Sequence, residues 1–124
     1  MPESDQPLLE SARVTTNSTT YVDLIKYKVD PNKMVFVRDV TVELNSTSGS
    51  PTVSLSINGE TKLRDFQPVD TDLKMAFGGH LAFRGTLRDP AIWIRVKNDG
   101  TTNTTFTVVI TGVTVDFTPV KRPP

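Results

Sequence analysis

From Tyr21 to Thr118 the chain alternates apolar and polar residues in short runs that are cut by Pro, Gly and Asn. Successive side chains of a strand point to opposite faces, so each run has one apolar face that another apolar face must cover. Several such runs in one chain require an all-β fold, a sandwich or a barrel. The clearest runs are Val40, Val42 and Leu44, then Val53, Leu55 and Ile57, then Ile92, Ile94 and Val96, then Phe106, Val108 and Ile110. The expected architecture is an antiparallel β-sandwich, jelly-roll-like, with an extended N-terminal arm.

The pattern predicts strands over 20–29, 34–44, 52–57, 81–87, 91–97 and 104–118. In the first, Tyr21, Ile25, Tyr27 and Val29 share a face. Asp30-Pro31-Asn32-Lys33 is a turn in which Pro sets the backbone angle. The segment Met34-Val35-Phe36-Val37 is apolar on both faces, as expected where something covers both sides of a strand. Asn58-Gly59 has the composition of a two-residue hairpin turn, but that register would set Lys62 opposite Leu55 and Arg64 opposite Val53. A three-residue loop instead pairs Leu55 with Thr61 and Val53 with Leu63, so the facing rule favours a bulged turn. Residues 65–80 are irregular, a functional excursion or a hidden short strand. In the last strand the apolar phase switches at Thr111-Gly112, from Phe106, Val108 and Ile110 to Val113, Val115 and Phe117. A bulge there would bend the sheet. Residues 1–19 show no sustained period and are expected as an arm, with 20–118 as the sandwich and 119–124 as a tail.

A chain of 124 residues is one domain with room for a core. Fourteen basic residues balance fourteen acidic ones, which argues against bulk binding of a nucleic acid backbone and leaves little repulsion between copies. The acidic, polar start of the chain does not have the form of a secretory signal, and no apolar stretch approaches the ~20 residues of a membrane span. Absence of Cys fits synthesis in a reducing cytoplasm. The Asn-x-Ser/Thr triplets at Asn17, Asn45 and Asn103 are read as products of a Thr-rich composition.

Few residues offer chemistry. His80, beside Gly78-Gly79, has no Cys or second His to complete a metal site. Asp65, Asp70 and Asp72 lack the spacing of a calcium loop. Asp23, Asp39, Glu43 and Glu60 fall mostly on outward phases or turns, where their expected role is solvation rather than paired acid catalysis. No nucleophile signature occurs, so no enzyme and no cofactor is expected. Trp93, the single Trp, lies on an outward phase beside Arg95, and both residue types anchor interfaces; an exposed Trp also stacks on sugar rings. The candidate interface residues are Leu8, Leu9, Val14, Met34, Phe36, Trp93 and Arg95.

The run Val29-Asp30-Pro31-Asn32-Lys33-Met34-Val35-Phe36-Val37, continuing through Val40-Thr41-Val42-Glu43-Leu44 to Val53-Ser54-Leu55-Ser56-Ile57-Asn58-Gly59, resembles the small jelly-roll and β-sandwich virion proteins of tailed bacteriophages. Trp93-Ile94-Arg95-Val96-Lys97-Asn98 and the strand from Phe106 fit the same plan. This resemblance implies a structural virion protein, made in the host cytoplasm: a capsid decoration protein, or a tail or neck accessory. Its partners would be copies of itself, typically in a homotrimer, and virion proteins such as the major capsid protein, with no nucleic acid and no membrane. It carries over no catalytic residue. The alternative from another class is a carbohydrate- or receptor-binding module centred on Trp93 and residues 65–80.

Overall fold

The computed structural model describes residues 6–30, 32–84 and 91–116. Eight strands follow one another: β1 (Gln6–Thr16), β2 (Val22–Tyr27), β3 (Lys33–Leu44), β4 (Thr52–Ile57), β5 (Glu60–Phe66), β6 (Asp72–Arg84), β7 (Ile92–Lys97) and β8 (Thr104–Asp116). They pair antiparallel as β1 with β8, β2 with β7, β3 with β6 and β4 with β5. The chain thus runs out through four strands and returns beside itself. This long double strand is wrapped into two four-stranded sheets, ordered β1-β8-β3-β6 and β2-β7-β4-β5. That is the jelly roll, an all-β sandwich built from two Greek keys. Among the described residues no helix is long and apolar enough to cross a membrane.

The clear sequence runs form the core. Val40, Val42, Val53, Leu55, Ile92, Ile94, Val96, Phe106, Val108 and Ile110 are all fully buried between the sheets. Each such side chain contributes about 1.5–3 kcal/mol on removal from water. Together these residues form one packed core between the two sheets.

Several expectations are corrected, and most corrections come from bulges. Residues 6–16 are not an arm: β1 pairs with β8 without interruption from Gln6 to Thr16. Its inner-phase residues are Leu8, Glu10, Ala12, Val14 and Thr16, too polar an alternation to read as a strand, yet Leu8 is buried and Ala12 and Val14 pack on the core. The Asn58-Gly59 turn is the tight two-residue form, with φ of 51° and 81° and Ile57 opposite Glu60. The register correction demanded by the faces occurs inside β5, at Lys62 and again over Arg64–Asp65, which sets Leu63 opposite Leu55. Residues 72–84 form one long strand, interrupted where Phe77 to His80 stand against Arg38.

The phase switch at Thr111-Gly112 does not occur in β8. The extra residue is Arg38 in the facing strand β3, between Val37 and Asp39. Therefore β3 changes phase, burying Val35 and Val37 and then Val40, Val42 and Leu44. Strand β8 keeps its phase, so Thr114 turns inward while Val113 and Val115 face outward. In β2 a bulge after Asp23 likewise buries Leu24 instead of Tyr21. The turn at 30–33 closes by Lys33 N–H to Asp30 O (2.9 Å), while Pro31 lies outside the described residues. So do residues 1–5, 85–90 and 117–124, which carry the start of the expected arm, the ends of the strands expected over 81–87 and 104–118, and the expected tail.

Candidate functional site

Among the described residues, the two outer sheet faces are the broadest continuous surfaces the strands present. On the β1-β8-β3-β6 sheet, register places Pro7, Val113, Phe36 and Ala82 in one row across all four strands. Val115 and Met34 form the next row, and Leu9 lies diagonally beside Val113. Leu9 is 68% exposed, and Phe36, Met34, Val113 and Val115 are half-buried by lateral neighbours. Beyond Thr111 the same face becomes mostly polar, with Val109 set among Ser11, Thr41, Glu43, Lys74, Asp72, Arg13 and Thr107. Apolar surface is therefore concentrated at one end of this face. A shallow hollow of about 250 Å³ at the polar end is bounded by Arg13, Glu43, Leu44, Asn45, Thr105 and Thr107.

The outer face of the β2-β7-β4-β5 sheet is different in kind. Lys26, Trp93, Ser56 and Thr61 form a row across its four strands, and Asp23, Arg95 and Ser54 form the next. Tyr21, just before β2, lies over this second row. Cations and rings alternate: Lys97 Nζ is 4.7 Å from the Tyr21 ring centre, and the Arg95 guanidinium is 5.1 Å from Tyr21 and 4.4 Å from Trp93. Lys26 Nζ is 5.2 Å from Trp93. Each such contact contributes about 0.5–1 kcal/mol at an exposed site.

Hydrogen bonds hold the rings in place. Trp93 Nε1–H donates to Asp23 Oδ1 at 2.7 Å, and Asp23 Oδ2 pairs with Lys26 at 3.4 Å. The Tyr21 hydroxyl donates to Asp65 Oδ1 and accepts from Ser54 Oγ at 2.8 Å, while Ser54 Oγ also accepts from the Asp65 N–H at 3.0 Å. Burial, and then the bond to Asp65, raise the Tyr21 phenol above its ordinary range, with Ser54 and Arg95 opposing. Asp65 reaches Tyr21 because the β5 bulge puts it in the left-handed region, at φ 50°.

The seven candidate interface residues thus separate into three places. Leu8 and Val14 face the chain's own core, Leu9, Met34 and Phe36 lie on one outer face, and Trp93 and Arg95 sit on the other. Met34 and Phe36 are covered on one side only, so the both-faces pattern of residues 34–37 marks an outer apolar patch. Sequence reading missed Val113 and Val115, assigned to the core, and it missed Tyr21, Lys26 and Lys97 as neighbours of Trp93. The outward phases of β2 and β7 held that second signal.

Other candidates resolve differently. Asp65 is committed to Tyr21, and Asp72 stands opposite Glu43 on the other sheet; among the described residues no three His or acid side chains come together as a metal ion requires. His80 falls in β6, and the placement of its side chain lies outside the described residues. The amide groups of Asn17 and Asn45 join loops at one end of the sandwich, to Gly100 O and from the Thr105 N–H. Asn98 ties the same end together, its Oδ1 accepting from the Ser50 N–H and its Nδ2 donating to Thr104, both at 2.9 Å. Compared with known proteins, the chain matches no family model and no curated protein sequence.

Proposed function

We propose that this chain is a structural virion protein of a tailed bacteriophage, a capsid decoration or stabilisation protein that works through subunit contacts and catalyses nothing. The observation that carries this reading is the apolar end of the β1-β8-β3-β6 outer face, with Leu9 68% exposed and diagonal to Val113, and Phe36 and Met34 on the strand beyond. A concentrated apolar patch on a surface marks a contact. Its proposed occupant is a second copy of the chain. Sheet edges invite pairing between chains unless they are blunted, and bulges interrupt the other three edge strands, β2, β5 and β6. The β1 edge, which contributes Pro7 and Leu9 to the patch, has no bulge along its eleven residues. A net charge of zero adds no repulsion between copies.

The phage assignment itself rests on the sequence resemblance and on the use of jelly rolls in capsid proteins. Fold alone does not fix function. Such a protein acts by mass action, each bound copy favouring the assembled lattice over dissociated subunits.

Light scattering tests the contact. The wild-type protein is expected at a multiple of its 13.7 kDa chain mass, a trimer on this reading. Leu9→Asp with Phe36→Asp is expected at the monomer mass with an unchanged circular dichroism spectrum, and to lose co-sedimentation with capsids. A monomeric wild type, or a double variant that still associates, removes the patch from the argument.

A further inference from the structure

We infer that the outer face of β2 and β7 is a binding site for an acidic polysaccharide, whose carboxylate or sulfate groups are taken by Arg95 and Lys97. This surface is on the sheet opposite the proposed subunit contact and is independent of it. Three cations, Lys26, Arg95 and Lys97, lie there against two carboxylates, Asp23 and Asp65. Both carboxylates are already engaged, Asp23 by Trp93 and Lys26, and Asp65 by Tyr21. Among the described residues no carboxylate lies within ion-pair distance of Arg95 or Lys97. The guanidinium of Arg95 is steadied by two aromatic rings and keeps its donors for an outside acceptor. A planar fork held in place is suited to bidentate recognition of an anion.

The chemistry of the surroundings selects the ligand. Nucleobases and neutral sugars would need a free ring face to stack on, but cations stand over both Tyr21 and Trp93. An extended peptide would bind at a sheet edge, whereas Arg95 and Lys97 lie on an inner strand of the sheet. Beside Trp93 the row continues through the hydroxyls of Ser56 and Thr61, which have no hydrogen-bond partner within the described chain and suit a polyhydroxylated ligand. Anion-binding cations next to open hydroxyls match a chain of acidic sugars.

Titration calorimetry with polygalacturonate and with heparin tests the site, with neutral dextran, poly-glutamate and a single-stranded oligonucleotide as comparisons. Binding of one or both acidic polysaccharides is expected, weakened by salt, with no binding of dextran. Polygalacturonate carries carboxylates alone and heparin carries carboxylates and sulfates, so binding of polygalacturonate at least as tight assigns the site to carboxylate, and tighter binding of heparin assigns sulfate a part. Lys97→Gln and Arg95→Lys should each weaken it about tenfold, the scale of one charge-assisted hydrogen bond. Arg95→Lys keeps the charge and removes the fork, so an undiminished affinity there would overturn the argument for a positioned guanidinium. Urea unfolding of each variant separates lost binding from lost structure, and Lys97, with one ring contact, serves if the Arg95 variant is destabilised. Absence of binding to both polysaccharides, or equal binding of poly-glutamate or the oligonucleotide, would overturn the proposal.

Discussion

Replacing Gly112 by alanine puts a methyl group into a close approach of β8 to β3. A Cβ built at Gly112 falls 2.1 Å from the carbonyl oxygen of Phe36 and 3.1 Å from the Phe36 carbonyl carbon and Val37 Cα. An ordinary carbon–oxygen contact is about 3.3 Å or more, so the two strands must separate by roughly 1 Å. The obstacle is backbone in mid-sheet, so no side chain can rotate away. Overpacking of this kind costs about 1–3 kcal/mol. Ladder hydrogen bonds stretched beside it add about 0.5–1.5 kcal/mol each. The expected loss is ~2–5 kcal/mol, a large share of the about 5–15 kcal/mol that stabilises a typical domain. With a urea slope of about 2 kcal/mol per molar, the unfolding midpoint should fall by ~1–2.5 M. Trp93 fluorescence is the assay, since Trp93 sits on the opposite sheet and reports global unfolding. The same separation would displace Val113 from Phe36, so the variant should also associate less. A midpoint within about 0.2 M of wild type would refute the reasoning, because the close approach would then be absent or freely relieved.

Asn98 is 5% exposed, and its side chain satisfies the Ser50 and Asp99 N–H groups and the Thr104 hydroxyl. Asn98→Ala should cost ~2–4 kcal/mol by leaving buried polar groups unpaired, visible as a clear drop in Tm; an unchanged Tm would contradict the bonding assigned to this loop end. Asp99 is held down to about 2, first by the Thr101 backbone N–H and then by that of Thr102. A folded-state value below the unfolded one of 3.8 stabilises above the unfolded value and is lost as pH falls through about 2. Asp99→Asn should therefore be less stable than wild type at neutral pH and converge with it near pH 2 in a Tm series. A difference that persists unchanged to acid would sink this assignment.

The strands with clean alternation were legible because their inner faces are wholly apolar. Val40 to Leu44, Thr52–Ile57, Ile92–Lys97 and Phe106 to Ile110 are inward and outward as their period dictates. That period also limited the chain to a two-layer β fold. What the period could not locate was the extra residues, since a bulge moves every later side chain to the other face. Gly112 gave a real signal of close approach, but the inserted residue is Arg38 on the facing strand, a relation between strands with no local mark. For the same reason Val113 and Val115 read as core and became surface. Strand β1 was illegible because it is an edge, where one neighbour suffices to hold polar residues in a ladder and few apolar side chains are needed. The chain's own alternation determined that there would be two faces to bury. Only the tertiary pairing decided which apolar residues were left over outside, and which cations and rings would meet across β2 and β7.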